Sequence, residues 1–221
     1  MSKPSVSMSR RAIDGLARPM RKLAHRFKRD QEGVAAIEFA MIVPILAAMF
    51  IGAVELSQAI TVDRRVTQVA SSTADLVARS EKQISQTEVT DIMKVGGYLL
   101  KPYSQDPIQI IVRNVTSSPT NAAIAKESWQ CTYKGTGQTQ TCACSSTNYT
   151  LPGNLVTTND SVVVSEVTYN YKPLLFDFFM KQSGGGSGGT YTLSEKIYLK
   201  PRGQAAMLLQ PNNTPCPTPS F

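Results

Sequence analysis

The 221-residue chain contains one histidine, His25, and none after it. Beyond the first turns of the sequence this excludes nucleophilic sites built on Ser-His-Asp or Cys-His. No P-loop and no dinucleotide-binding glycine fingerprint occurs. Carboxylates such as Glu127, Asp160, Glu166 and Asp177 are scattered, with no acid/base pairing legible from their spacing. The expectation is therefore a protein that is not an enzyme, with no catalytic residues, no cofactor, no metal and no small-molecule substrate. Cysteine is absent until Cys131, and charge is nearly absent between Val34 and Val54, where Glu38 is the one ionisable side chain.

That second scarcity defines the stretch around which the chain is organised. Gly33 to Ile60 reads GVAAIEFAMIVPILAAMFIGAVELSQAI. As a helix, Val34–Val54 is roughly 31 Å long, against a hydrocarbon layer of roughly 30 Å. A soluble helix of that length normally keeps one polar face for water. The run is read as a membrane-spanning helix, in which Pro44 is tolerated and loosens the backbone.

The formal net charge of +7 is unevenly spread. Residues 1–32 carry Lys3, Arg10, Arg11, Arg18, Arg21, Lys22, Arg26, Lys28 and Arg29 against Asp14, Asp30 and Glu32. The remainder is close to neutral. A basic arm beside an apolar span fits the positive-inside rule, which puts the arm in the cytoplasm and the C-terminal part outside. The arm can also touch anionic headgroups. No aromatics interleave with these basic residues, so the pattern does not predict nucleic-acid binding.

Cys131, Cys142, Cys144 and Cys216 all follow the span. Four cysteines in an oxidising compartment predict two disulfides, with three connectivities open. Cys142 and Cys144 are too close in sequence to bridge easily, so the favoured pairing joins Cys131 to one of them and Cys216 to the other. A cysteine-only zinc site is the alternative, although the C-x-C spacing is wrong for a zinc ribbon.

Along the chain, the arm reads as flexible, with room for a short helix around Met20–Lys28. Past the span, Val62, Val66, Val69, Thr73 and Leu76, with Val77 alongside, form one apolar face of a helix continuing to about residue 80, a total length of roughly 70 Å. Thr87 is placed as the N-cap of a second helix over Glu88–Leu100, weakened by Gly96-Gly97 and stopped by Pro102. Strand composition then appears at Ile108–Val115, Lys126–Lys134, Ser161–Tyr171 and Thr190–Leu199. Gly135–Thr150 reads as a loop, and Ser183–Gly189 as a mobile hairpin connection. Leu174, Leu175, Phe176, Phe178, Phe179 and Met180 form an apolar cluster that belongs to the core or meets a partner or membrane. The Pro-rich tail, 211–221, is expected to be ordered only near Cys216.

The informative detail is Glu38. A carboxylate near the start of a hydrocarbon span is costly, by roughly 2.5–3.5 kcal/mol at a helix centre on insertion scales, unless it snorkels or finds a partner. A cut after Gly33 would place a new amine at Val34 in an i, i+4 relation to Glu38, beside the positive end of the helix dipole. The basic arm, Gly33, four small or apolar residues, Glu38 and Phe39 together resemble a type IV prepilin. More closely, residues from Gly33 through VTQVASSTADLVA, with VVVSEVTYNYKPLL and TLSEKIYLKPR later, resemble the TadE/TadG-like pseudopilins of tight-adherence (Flp) pilus systems. The resemblance implies that a prepilin peptidase recognises Gly33, that Val34 begins the mature chain, and that Glu38 and Phe39 serve in assembly. Related TadG-type proteins keep the segment as an uncleaved anchor, so both forms stay open.

Three other readings stand beside this one. They are a signal-anchored periplasmic or surface binding domain, a secreted protein cut near Ser57-Gln58-Ala59, and an enzyme. The favoured reading is a single-pass α+β protein of the bacterial inner membrane. Its parts are a cytoplasmic arm (1–32), a TadE-like segment (33–80), a periplasmic head with a small antiparallel sheet tied by disulfides (81–210) and a tail (211–221). Its implied role is that of a minor pseudopilin or assembly factor, whose partners are the inner membrane, the pilus assembly machinery and other pilins or pseudopilins.

Overall fold

The computed structural model describes residues 32–80, 83–153, 155–173, 189–202, 208–210 and 215–221. The basic arm, the apolar cluster at 174–180 and nearly all of the Gly/Ser stretch lie outside these residues. Two compact units are present, one ending at Ile51 and one beginning at Gly52.

In the first unit the described chain is the opening part of helix α1, which runs over Glu32–Arg79 and has Pro44 inside it. It contains the protein's one candidate membrane span among the described residues, and the apolar window of that span is not buried at all.

The second unit is α+β. After the rest of α1 come β1 (Gln83–Ser85), α2 (Gln86–Tyr98), β2 (Ile108–Ser117), β3 (Ala125–Lys134), a 3-10 turn (Thr136–Gln138), β4 (Thr139–Cys144), β5 (Ser161–Tyr171), β6 (Tyr191–Leu199) and β7 (Leu208–Gln210). Strands β2 to β6 make one antiparallel sheet in the order β4-β3-β2-β5-β6. Strands β1 and β7 form a separate parallel pair.

One face of the sheet takes the C-terminal part of α1 together with α2. Val62, Val66, Val69, Ala70, Val77 and Ala78 of α1 join Val89 and Met93 of α2 against Ile110, Val112, Trp129, Val163 and Val167 of the sheet. The expected apolar stripe holds as far as Thr73, but its next member is Val77; Leu76 is 41% exposed. A strict 3.5-residue repeat drifts around an α-helix of 3.6 residues per turn, so the face moves on by one position within a few turns. Small residues then let α2 approach, with Ala70, Ala74 and Ala78 buried on α1, and Gly96 and Gly97 buried on α2.

The second helix is capped by Ser85, whose hydroxyl accepts the Glu88 N–H at 3.1 Å, and not by Thr87. Ser85 and Glu88 stand in the S-x-x-E relation of a capping box, which outranks an isolated threonine. The expected end at Leu100 also shortens to Tyr98.

The region 135–150 is not a plain loop, because it contains β4. That strand, TQTCAC, shows little of the apolar alternation that marks a strand in sequence; ladder bonds to β3 and its two cysteines hold it. The hairpin into it requires glycine at 135, where a Cβ would come 1.7 Å from the Gln105 carbonyl oxygen. Strand β5 is buried on both faces. Val163, Val167, Tyr169 and Tyr171 face the helices, whereas Val162 and Val164 join Val115, Ala125 and Val156 in a second cluster on the other side.

Candidate membrane and assembly segment

At the start of α1 the Gly33–Val34 bond lies within the first helical turn. A Cβ built on Gly33 would meet nothing within 4 Å, and no positive φ is needed there. Packing therefore gives no reason for a glycine at 33, although glycine weakens a helix by up to about 1 kcal/mol. Val34 and Glu38 share one face by their i, i+4 spacing, and Phe39 follows. Val34, Glu38 and Phe39 are all exposed. Every described side chain from Gly33 to Phe50 is exposed, including Ile37, Met41, Ile42, Ile45, Leu46, Met49 and Phe50. Pro44 has no N–H, so the Ala40 carbonyl lacks its i+4 donor. An apolar surface that runs all round a helix calls for hydrocarbon or for neighbouring helices.

A second carboxylate ends the apolar run of the candidate span. Glu55 directly follows Val54 and is buried within the second unit. Burial raises the Tyr171 phenol above its ordinary range, and the nearby Glu55 carboxylate and Tyr103 raise it further. Glu55 was not singled out in the sequence, where it reads as the first charge past the apolar run. That signal marks a boundary but not burial.

The cysteines lie on the sheet edge away from β6. Cys131 and Cys142 are opposite each other in the β3–β4 register, bonded with their Cα atoms 4.1 Å apart. Cys144 bonds Cys216 across a Cα separation of 5.4 Å. Residues 142 and 144 share a face of β4 because side chains alternate along a strand. One therefore staples the edge strand inward, and the other staples the C-terminal segment to it. The Cys216 N–H donates to Leu209 O, and Lys126 Nζ donates to Ser220 O, which carries that segment on toward the start of β3.

The scattered carboxylates acquire partners that sequence spacing could not show. On the face away from the helices, Arg113 meets Glu127 at 3.4 Å and Glu166 at 3.5 Å, and Lys196 meets Glu166 at 3.3 Å. Tyr149 covers the Arg113 guanidinium at 5.5 Å. Two acids and two bases neutralise one another there, which suits cross-strand cohesion better than proton transfer. Asp160 meets Lys200 at 2.6 Å. Burial alone would raise its carboxyl, but Lys200 and the Ser161 and Thr157 N–H groups overcome this and hold it below the ordinary range. Asp177 lies outside the described residues. No group of three or more potential metal ligands occurs among the described residues.

Residues 33–75 match the family model described as TadE-like protein. The match begins at Gly33, takes in Val34, Glu38 and Phe39, and ends four residues before the end of α1. No curated protein and no solved structure matches the chain.

Proposed function

We propose, from the premise that residues 33–75 are a TadE-like segment, that this chain is a minor pseudopilin or assembly factor of a tight-adherence type IV pilus. It is anchored in the bacterial inner membrane, with its arm cytoplasmic and its head periplasmic, and it acts by packing against other pilus proteins and not by catalysis. The observation that carries the reading is the uncovered first part of α1. From Gly33 to Phe50 its side chains face outward all round, and the one carboxylate among them is Glu38, which a simple anchor does not need. A glycine at 33 with no packing role supports recognition of the Gly33–Val34 bond by a prepilin peptidase. After cleavage the Val34 amine and the Glu38 carboxylate would neutralise each other, within one chain or between neighbours.

The test is the intact mass and N-terminal sequence of the protein from its native membranes. A start at Val34 would establish prepilin-type processing. A start at Met1 would leave an uncleaved anchor and move attention to the head as the assembling part. A start at Ile60 would overturn the reading in favour of a secreted domain.

A further inference from the structure

We infer that the Cys144–Cys216 disulfide is a thiol-exchange site, at which a dithiol reductant frees the C-terminal segment (215–221) from the sheet edge while Cys131–Cys142 stays closed. Exchange begins when a thiolate attacks one sulfur of a disulfide, so access decides which bond opens first. Cys144 ends β4, the outermost strand on its side of the sheet, and is exposed. Its partner Cys216 is 2% exposed. The other disulfide offers less, because Cys131 is fully buried in β3 and Cys142 is half-buried. The two bonds share an edge strand but not its exposure, and exposed disulfides are the labile ones.

The chemistry balances with the dithiol as the one reductant. Its thiolate attacks Sγ of Cys144, the Cys144–Cys216 bond breaks, and Cys216 leaves as a thiolate that takes a proton from water. The reductant's second thiol loses its proton and attacks the reductant's own sulfur in the mixed disulfide. Cys144 then departs as a thiolate and is protonated. Two electrons have passed to the two cysteines, and the reductant leaves as its disulfide. Once the bond is open, little else described here ties the segment down. The Cys216 N–H donates to Leu209 O at 2.7 Å, Lys126 Nζ donates to Ser220 O, and the Phe221 ring lies 5.8 Å from the Lys126 ammonium. Pro219 is buried, but Ser220 and Phe221 are exposed, so water competes for the two contacts with Lys126. The opening has a reporter. Trp129, the single tryptophan, is opposite Cys144 in the β3–β4 register and shares an apolar cluster with Cys216 and Leu209.

The test exposes the full chain in detergent to rising dithiothreitol, with free thiols trapped by iodoacetamide and mapped by mass. Trp129 emission, its quenching by acrylamide and hydrogen exchange at the Cys216 amide are followed in parallel. The expected result is label on Cys144 and Cys216 together, at reductant levels that leave Cys131 and Cys142 bonded. Trp129 emission should then shift to the red and gain acrylamide quenching, the Cys216 amide should lose protection, and reoxidation should reverse all three. Label on Cys131 and Cys142 at the same reductant level, or a lower one, would overturn the selective site. Opening of Cys144–Cys216 with Trp129 quenching unchanged and the Cys216 amide still protected would overturn the release, because the segment would then hold without its bond. Cys144→Ser/Cys216→Ser supplies the open form without reductant. Trp129 quenching in this variant should match that of the reduced wild type, and quenching equal to that of the oxidised wild type would also overturn the release.

Discussion

A Cβ at position 96 would lie 2.8 Å from Oγ1 of Thr73, across the contact between α2 and α1. The glycine is therefore what allows the two helices to approach. Gly96→Ala should gain up to about 1 kcal/mol of helix propensity. It should lose about 1–3 kcal/mol to overpacking, for a net destabilisation. Adding Thr73→Ala removes the obstructing hydroxyl, so the pair should recover most of the loss. Thermal unfolding of the detergent-solubilised chain measures this cycle, and simple additivity of the two changes would refute the contact.

The two disulfides should differ in worth. Cys144–Cys216 closes a separation of 72 residues and Cys131–Cys142 one of 11. On loop-closure entropy alone these are worth about 4 and about 3 kcal/mol. Cys144→Ser/Cys216→Ser should therefore lower the denaturant midpoint substantially while leaving the β3–β4 pairing in place. The check is chemical denaturation alongside hydrogen exchange at β3, which should remain protected.

Arg113 joins Glu127 of β3 to Glu166 of β5, and Lys196 gives Glu166 a second base. The Arg113 and Glu127 side chains are 14% and 7% exposed, so Glu127 depends on this arginine. Arg113→Met should cost about 3–5 kcal/mol by leaving a buried carboxylate unpaired. The double variant Arg113→Met/Glu127→Leu should regain much of that loss, as buried ion pairs exchanged for apolar residues often do. Equilibrium unfolding of the single and double variants decides it; equal losses in both would mean that the arginine acts through packing alone.

How much of this was legible in sequence depended on the kind of signal each element carries. The candidate span was legible as a long apolar run, the apolar face of α1 through Thr73 by its helical periodicity, and strand β5 by its β-branched and aromatic composition. Strand β4 was not, since its ladder partner and disulfides hold it and its own side chains are polar. Nor were β1 and β7, three-residue strands that pair across more than a hundred residues of chain. At the site, Glu38 stood out because it is a charge in an apolar run. Glu55 did not, because its burial comes from residues far away in the sequence, and such packing has no local signature.

Asp160 gives the head a pH dependence of known sign. Lys200 and two backbone N–H groups outweigh burial and depress its carboxyl in the folded state. A depressed acid contributes stability that is fully present above the unfolded value, about 3.9, and is lost as pH falls through the lower folded value. Asp160→Asn should therefore destabilise the chain at neutral pH, and its difference from wild type should shrink below about pH 4. Unfolding midpoints of both proteins across that range test it; a difference that stays constant with pH would show that the charge is not what matters.

Glu38 separates anchoring from assembly. If α1 served only to hold the head at the membrane, Glu38→Ala would be neutral or favourable, because it removes a charge whose insertion costs about 2.5–3.5 kcal/mol at a helix centre. The proposed role predicts a divergence between two measurements. Membrane retention after alkaline extraction should match or exceed wild type, whereas recovery of cross-linked complexes with pilus proteins should fall sharply. Glu38→Gln should behave like Glu38→Ala in assembly if the negative charge is what neighbours recognise, and like wild type if a hydrogen-bonding side chain is enough. Retention of full assembly in Glu38→Ala would remove this carboxylate from the proposed function, and the exposed apolar face of α1 would then have to carry the packing unaided.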